Sequence, residues 1–172
     1  MPTIFSHAIV PIATGLGIGK KVSKQLIILS AFCSMLPDID TIGFKFGVSY
    51  ASQWGHRGAT HSIVFALAVA FIAGLFAEKL NSQFYITWLM VFLATISHGL
   101  LDMCTNGGLG VALYWPFSHE RLFFDFHPIK VSSIGITNFF TQRSISVLKS
   151  EFLWVVLPSI VWLLVLRGLR RQ

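Results

Sequence analysis

The chain alternates apolar segments with short polar turns and two longer polar stretches, and this pattern predicts a helical bundle. The apolar segments comprise residues 5–19, 22–37, 62–78, 84–101 and 152–167. Most are shorter than the ~20 residues that cross a full hydrocarbon core, so semi-polar residues must complete their ends or the bundle must thin the membrane locally. We therefore predict an all-α, multi-pass membrane bundle of about four to five apolar helices.

Two longer stretches, 38–61 and 102–151, separate these segments and are predicted to lie outside the membrane on the same side. The second stretch contains "GGLG" and "YWPFSHER" and is rich in aromatic and turn residues, without a clear helical period. We expect it to form an ordered cap over one end of the bundle. The length of 172 residues fits a single integral-membrane domain spanning 1–172.

Composition supports a membrane protein. The chain is 54% hydrophobic and only 12% charged, whereas soluble domains carry about 25% charged residues. Its net charge of +6 comes from basic residues between apolar segments, a pattern typical of topology signals rather than of a nucleic-acid-binding face. We expect membrane lipid as a partner and no nucleic acid. Cys33 and Cys104 form no CxxC pair and predict no disulfide framework.

An up-and-down bundle would sort the ionisable residues onto opposite ends. The basic clusters fall at one end, and the positive-inside rule predicts that this end and the C-terminus are cytoplasmic. In a bacterial inner membrane the other end would then be periplasmic. All four aspartates of the chain and its histidines fall at that end. The basic end carries Lys20, Lys21, Lys24, Arg167, Arg170 and Arg171.

The spacing of the histidines and aspartates favours a metal site. His98 and Asp102 are four residues apart and share one helix face. His56 and His61 flank a glycine-containing turn before the third apolar segment, and this turn can direct both rings inward. The predicted metal ligands are His7, Asp38, His56, His61, His98 and Asp102.

Imidazole and carboxylate groups without thiolates suit one or two divalent ions in a hydrolytic role, with zinc favoured and manganese or iron as alternatives. Pro37 is expected to end the second helix and to direct Asp38 and Asp40 out of it. Asp40 is the predicted general base, and Arg57 is predicted to pair with an anionic substrate oxygen. The expected substrate is a phosphoester, and the apolar helices below the site favour one that carries a lipid tail. Residues interpreted as loop surface are His119, Glu120, Asp125 and His127.

The motifs "LPDID", "GHRGATHS", "SHGLLD" and "WPFS", in this order, resemble the bacterial inner-membrane metal-dependent hydrolase family of the YdjM/YbcI type, closest to its YbcI-like members. The resemblance covers essentially the whole chain. It implies a multi-pass inner-membrane protein with a metal site at Asp38, His56, His61, His98 and Asp102, joined by His7 and Asp40. The order of these ligands also resembles that of zinc-dependent phospholipase C enzymes, whose later His and Glu ligands and N-terminal Trp have no clear match here.

Two non-enzymatic functions remain open from the sequence. The protein could bind or transport a divalent ion, although a transport pathway would need polar groups along the bundle. The interiors of the apolar segments offer few such groups, among them Ser30, Ser34, Thr87 and Thr95. A protein-interaction role would have to use short basic turns and a tail, which present a small surface.

Overall fold

Helices account for the regular structure of this protein. The computed structural model describes residues 3–131 and 142–171, and in these ranges it contains no β-strand, only isolated bridges within residues 104–131. The fold class predicted from the sequence is therefore confirmed. The α-helices are α1 (Ile4–Ile18), α2 (Lys24–Met35), α3 (Ile63–Leu75), α4 (Phe84–Met103), α5 (Gln142–Glu151) and α6 (Leu157–Arg170).

Short turns join α1 to α2 and α3 to α4, so the two helices of each pair run in opposite directions. α1 packs on α2 and α6, while α4 packs on α2 and α3. α3 contributes small side chains to the core between these helices, since Ala66, Ala70 and Ala73 are buried. Small residues allow membrane helices to approach closely. The end of α4 therefore lies beside the start of α1, the end of α2 and the start of α3.

Within the described residues, three helical segments are long and apolar enough to cross a membrane: Lys24–Phe46, Phe84–Met103 and Ser144–Arg170. The helix Ile63–Leu75 is apolar but shorter, and α1 has 15 residues. Ser144–Arg170 includes α5, α6 and the π-helical turn Phe152–Val156 between them. The multi-pass helical architecture expected from the apolar segments agrees with these elements.

The second α-helix ends at Met35, close to the predicted end, but the chain remains helical beyond it. A 3-10 helix, Leu36–Phe46, follows α2 directly and has Pro37 in its first turn, where proline is tolerated because its missing N–H would have no partner. Asp38 and Asp40 consequently lie on a helical turn, and both are buried. The expectation that Pro37 helps to end the second α-helix agrees with the end of α2 at Met35. The expectation that it directs the two carboxylates out of a helix is wrong, because they lie on the 3-10 helix that follows.

The stretch 102–151 is also more helical than expected. α4 continues to Met103, and α5 covers Gln142–Glu151. The many serines and charged residues of α5 hide its helical period, although Val147 is buried. Residues 104–131 have no regular helix, as expected for the cap.

Glu151 ties the first turn of α1 to the end of α5. Its buried carboxylate accepts hydrogen bonds from the Thr3 amide at 2.6 Å, the Thr3 hydroxyl at 2.8 Å and the Ser6 hydroxyl at 2.6 Å. The first amides of a helix lack partners within the helix and carry partial positive charge, so a carboxylate stabilises this end.

We expect Glu151→Ala to lower the free energy of unfolding by about 1–3 kcal/mol, because it removes the acceptor of the partly buried Thr3 amide and of the buried Ser6 hydroxyl. Glu151→Gln should cost less, since its amide oxygen still accepts. Thermal unfolding in detergent measures both, with exposed Glu120→Ala as the control. Equal stability of Glu151→Ala and Glu120→Ala would contradict the assignment.

Candidate metal centre

Four buried side chains from three parts of the chain converge at one end of the bundle. Asp38 comes from the 3-10 helix after α2, His61 precedes α3, and His98 and Asp102 lie on α4. Each offers one ligand atom, and these four atoms lie within 4.8 Å of one another. The predicted one-turn spacing on α4 therefore does bring an imidazole and a carboxylate to a common point.

The separations between these atoms suit a shared ion better than direct hydrogen bonds. Asp38 Oδ1 lies 3.3 Å from His98 Nε2 and 3.7 Å from His61 Nε2, and Asp102 Oδ2 lies 3.6 Å from His61 Nε2 and 3.9 Å from His98 Nε2. Ligand atoms ~2.0–2.2 Å from a tetrahedral zinc ion are roughly 3.3–3.6 Å apart. The observed spacing is close to that range.

The same atoms lack hydrogen-bond partners. Both carboxylate oxygens of Asp38 and Asp102, and the Nε2 atoms of His61 and His98, are buried without such a partner among the described residues. Buried polar groups are normally hydrogen-bonded, because leaving them unpaired is costly. A divalent cation coordinated by these atoms would satisfy them together, so the residues present fit a metal ion.

Backbone and side-chain contacts orient both rings. His98 Nδ1 donates to the Ser34 carbonyl at 2.7 Å, which leaves the Nε2 lone pair of the neutral ring facing the centre. His61 Nδ1 lies 3.0 Å from the Thr60 hydroxyl and 3.3 Å from Asp40 Oδ2. Because the Thr60 hydroxyl donates to Asp40, His61 Nδ1 is the donor in this group, and its Nε2 also faces the centre.

Asp40 and His56 form a second group that shares His61 with the first. Asp40 Oδ1 pairs with His56 Nδ1 at 2.8 Å, while Oδ2 accepts from the Thr60 hydroxyl at 2.7 Å and the Arg57 amide at 3.2 Å. Both oxygens of Asp40 are therefore occupied. The roles predicted for Asp40 as base and His56 as ligand stay predictions. Asp40 contacts the Nδ1 side of His61, away from the Nε2 atom that faces the centre.

His7 lies at the edge of the centre. Its ring stacks on His98 with centroids 3.7 Å apart, and its Nε2 is 3.9 Å from Asp102 Oδ1. Neither of its ring nitrogens has a hydrogen-bond partner in the described part of the chain. This predicted ligand is thus within reach of the cluster, on the side of α1.

Arg57 is directed into the protein. Its fully buried guanidinium places Nε 3.0 Å from Asp102 Oδ2, while Nη1 donates to the Gly107 carbonyl and Nη2 to the Thr105 hydroxyl, each at 2.9 Å. Gly108, at φ +93°, lies so close that a Cβ atom there would be 2.8 Å from Nη1. In this geometry Arg57 holds Asp102; its substrate contact stays a prediction.

Charge at the centre favours a cation. Burial would lower the pKa of His61, but the nearby carboxylates of Asp102, Asp38 and Asp40 outweigh burial and raise that pKa to about 10. Carboxylates thus dominate the electrostatic environment of this ring. The same field would attract a divalent ion.

Sequence reasoning separated the cap surface from the centre but missed several supporting groups. His119, Glu120, Asp125 and His127 are exposed, as predicted, and both cysteines are free. The missed groups are hydroxyls and a carbonyl that orient or pair the ionisable residues. They belong to Thr60, Thr105 and Ser34. Of these, only Thr60 had a sequence signal, because it is adjacent to His61 within "GHRGATHS".

We expect Thr60→Val to weaken metal binding by about 10–100-fold, because it removes the hydroxyl that connects His61 to Asp40 and outer contacts of this kind orient ligands. Competition with a metal indicator in detergent measures the affinity. Thr87→Val, the same change at a buried site near the start of α4, should leave it unchanged. A Thr60→Val protein with unaltered affinity would rule out this support.

Comparisons with known proteins agree with the architecture. The profile of the YdjM inner membrane protein family matches residues 1–172. The chain is 40% identical over 163 residues to inner membrane protein YbcI of Escherichia coli (strain K12), covering 94% of each chain. No solved structure matches. This chain therefore belongs to the YdjM family of inner membrane proteins.

Proposed function

We propose that this protein is a membrane-embedded, metal-dependent hydrolase that acts on a phosphoester, with a lipid-linked phosphoester as the favoured substrate. The observation that carries the proposal is the set of buried ligand atoms without hydrogen-bond partners at Asp38, His61, His98 and Asp102. Such a set has little structural purpose without a cation, because each unpaired group costs stability.

Asp38, His61 and His98 would hold the ion, with zinc favoured over manganese or iron. Two imidazoles and one carboxylate form a known catalytic zinc set that keeps a position open. When bound, the ion would lower the pKa of water and polarise a phosphoryl oxygen. Because the second group, Asp40 and His56, is already internally hydrogen-bonded, one ion per chain is proposed rather than two.

Asp102 would take the proton of the attacking water. Its Oδ2 is paired with Arg57, and its Oδ1 has no hydrogen-bond partner within the described residues. His7 Nε2 lies 3.9 Å from that Oδ1 and would receive the proton next. The sequence favours Asp40 as the base, but the contacts favour Asp102, because Asp40 already accepts hydrogen bonds on both oxygens.

The membrane setting supports a lipid-linked substrate. The centre lies at the end of helices whose outer faces are apolar, since α6 alone exposes Ile160, Val161, Leu164 and Val165. A substrate with an apolar tail would remain in the bilayer while its headgroup reaches the polar end of the bundle.

A panel of phosphomonoesters, phosphodiesters and phospholipids, offered to zinc-loaded protein in detergent, tests the proposal. We expect hydrolysis of at least one class, and we expect Asp102→Asn to retain zinc but lose activity. Glu120→Gln, an equivalent change on the exposed cap, should retain both. No turnover across the panel by protein with stoichiometric zinc would overturn the hydrolase proposal.

The burial of the centre favours one alternative, a divalent-ion-binding or transporting protein without hydrolytic activity. His98 and Asp102 are both 0% exposed, so a substrate would need an opening to reach them. Zinc or manganese flux into liposomes that is abolished by His98→Ala, without hydrolysis of any ester, would establish this function instead.

We also propose that the His/Asp end is periplasmic and that the C-terminus is cytoplasmic. The argument is the basic clusters at the opposite end, which the positive-inside rule places in the cytoplasm. A C-terminal reporter active only in the cytoplasm should be active. A C-terminal reporter active only in the periplasm would contradict this orientation if it gave signal.

A further inference from the structure

A groove lies at the basic end of the bundle, far along α1 from the metal centre. The end of α1 and the last turns of α6 enclose about 580 Å³, a size within the ~300–1,000 Å³ range of small-molecule sites. The groove has apolar walls and a cationic rim. Its lining residues are Ile18, Leu166 and Leu169 on the walls, and Lys20, Lys21 and Arg170 on the rim.

The rim cations have no acidic partner. In the described ranges, none of Lys20, Lys21 and Arg170 forms an ion pair within 4.0 Å. Of the seven acidic residues in the sequence, only Glu78, beside Lys79, belongs to this end of the bundle. Further cations surround the groove. They are Lys24, Arg167 and Arg171.

Two glycines at the end of α1 allow α6 to pack closely on it, Gly17 against Leu166 and Gly19 against the guanidinium of Arg170. A Cβ atom at Gly17 would be 2.8 Å from Leu166 Cβ, and one at Gly19 would be 1.6 Å from Arg170 Nη1. Gly19 also has φ +76°, a conformation that favours glycine. Arg170 therefore lies directly over the backbone that ends α1, beside Lys20 and Lys21.

We propose that this groove binds an anionic phospholipid, with its phosphate at Lys20, Lys21 and Arg170 and an acyl chain along Ile18, Leu166 and Leu169. A guanidinium and ammonium groups form strong charge-assisted hydrogen bonds to phosphate. Basic pockets between membrane helices on the cytoplasmic side recognise lipid headgroups in this way. The apolar walls gain from contact with a hydrocarbon chain, which inorganic phosphate lacks.

Native mass spectrometry and thermal unfolding of delipidated protein test this site, with phosphatidylglycerol and phosphatidylcholine as probes. The variant K20Q/K21Q/R170Q removes the rim charges. The control K45Q/K130Q/K149Q removes the same number of charges from exposed positions nearer the other end. Inorganic phosphate, added at the same concentration, tests whether the headgroup anion alone suffices.

We expect phosphatidylglycerol to be retained and to raise the unfolding temperature, and the rim variant to weaken this binding by about tenfold or more. The control variant should bind as the native protein does. Equal retention of phosphatidylcholine, full displacement by inorganic phosphate, or equal binding by the rim variant would overturn the proposal. Metal content should be unchanged in the rim variant, so this test is independent of the hydrolase proposal.

Discussion

Asp38→Ala and His98→Ala should each abolish stoichiometric metal retention by the purified protein. Each removes one ligand atom from a set whose members lie within 4.8 Å of one another. We expect the affinity to fall by more than about 100-fold, beyond the 10–100-fold typical of outer contacts. Elemental analysis after gel filtration measures the retained metal.

His119→Ala is the matched control, because it removes a histidine from the exposed surface of the cap. It should retain the same amount of metal as the native protein. If Asp38→Ala and His98→Ala retained one ion per chain as well, the cluster would not be the metal site, and the hydrolase proposal would fail with it.

Arg57→Met should have the largest effect on stability. Arg57 and Asp102 are both fully buried, with Nε 3.0 Å from Oδ2. Removing one member of a buried ion pair leaves an uncompensated charge, which costs about 3–5 kcal/mol in free energy of unfolding. Arg57→Lys should restore little of the lost stability, since a single ammonium cannot replace the planar guanidinium that also donates to Gly107 and Thr105.

Unfolding in detergent, measured without added metal, checks this prediction. Arg121→Met is the matched control, because Arg121 is partly exposed and donates to backbone carbonyls such as those of His56 and Ser52. Arg121→Met should lower the free energy of unfolding less than Arg57→Met, since it leaves no buried carboxylate without its ion-pair partner. The double variant Arg57→Met/Asp102→Asn should recover part of the lost stability; equal effects of Arg57→Met and Arg121→Met would refute the pairing.

The predictions for metal retention and for stability distinguish two roles in the buried cluster, metal binding and support of the fold. Asp38 and His98 are expected to affect metal content first, whereas Arg57 is expected to affect folding first, because it compensates a carboxylate. The order in which metal and structure are lost on heating would distinguish direct ligation from support.

Much of the site could be predicted because its residue types sit at helix ends. His98 and Asp102 share a helix face by spacing alone, and alternating helix directions bring His7, Asp38 and His61 to the same end. The remaining assignments depend on contacts between residues far apart in sequence. Asp38 and Asp40 are two residues apart and indistinguishable by type, yet one faces the centre and the other bonds His56 and Thr60.

Sequence periodicity also failed where polar residues and proline interrupt a helix. The chain continues helically past Pro37 as Leu36–Phe46, since a proline at the start of a 3-10 turn breaks no hydrogen bond. α5 was hidden in the sequence because its many polar residues leave few apolar positions to reveal the period.

The amino-acid sequence by itself determined the helical membrane class, the opposite placement of basic and His/Asp clusters, and the residue types of the candidate metal centre. These properties follow from hydropathy and from helix spacing, which are local. Only the tertiary structure decided that Arg57 pairs with Asp102, that Asp40 lies behind His61, and that Lys20, Lys21 and Arg170 surround a groove. Such contacts depend on the packing of helices distant in the chain, which no local pattern encodes.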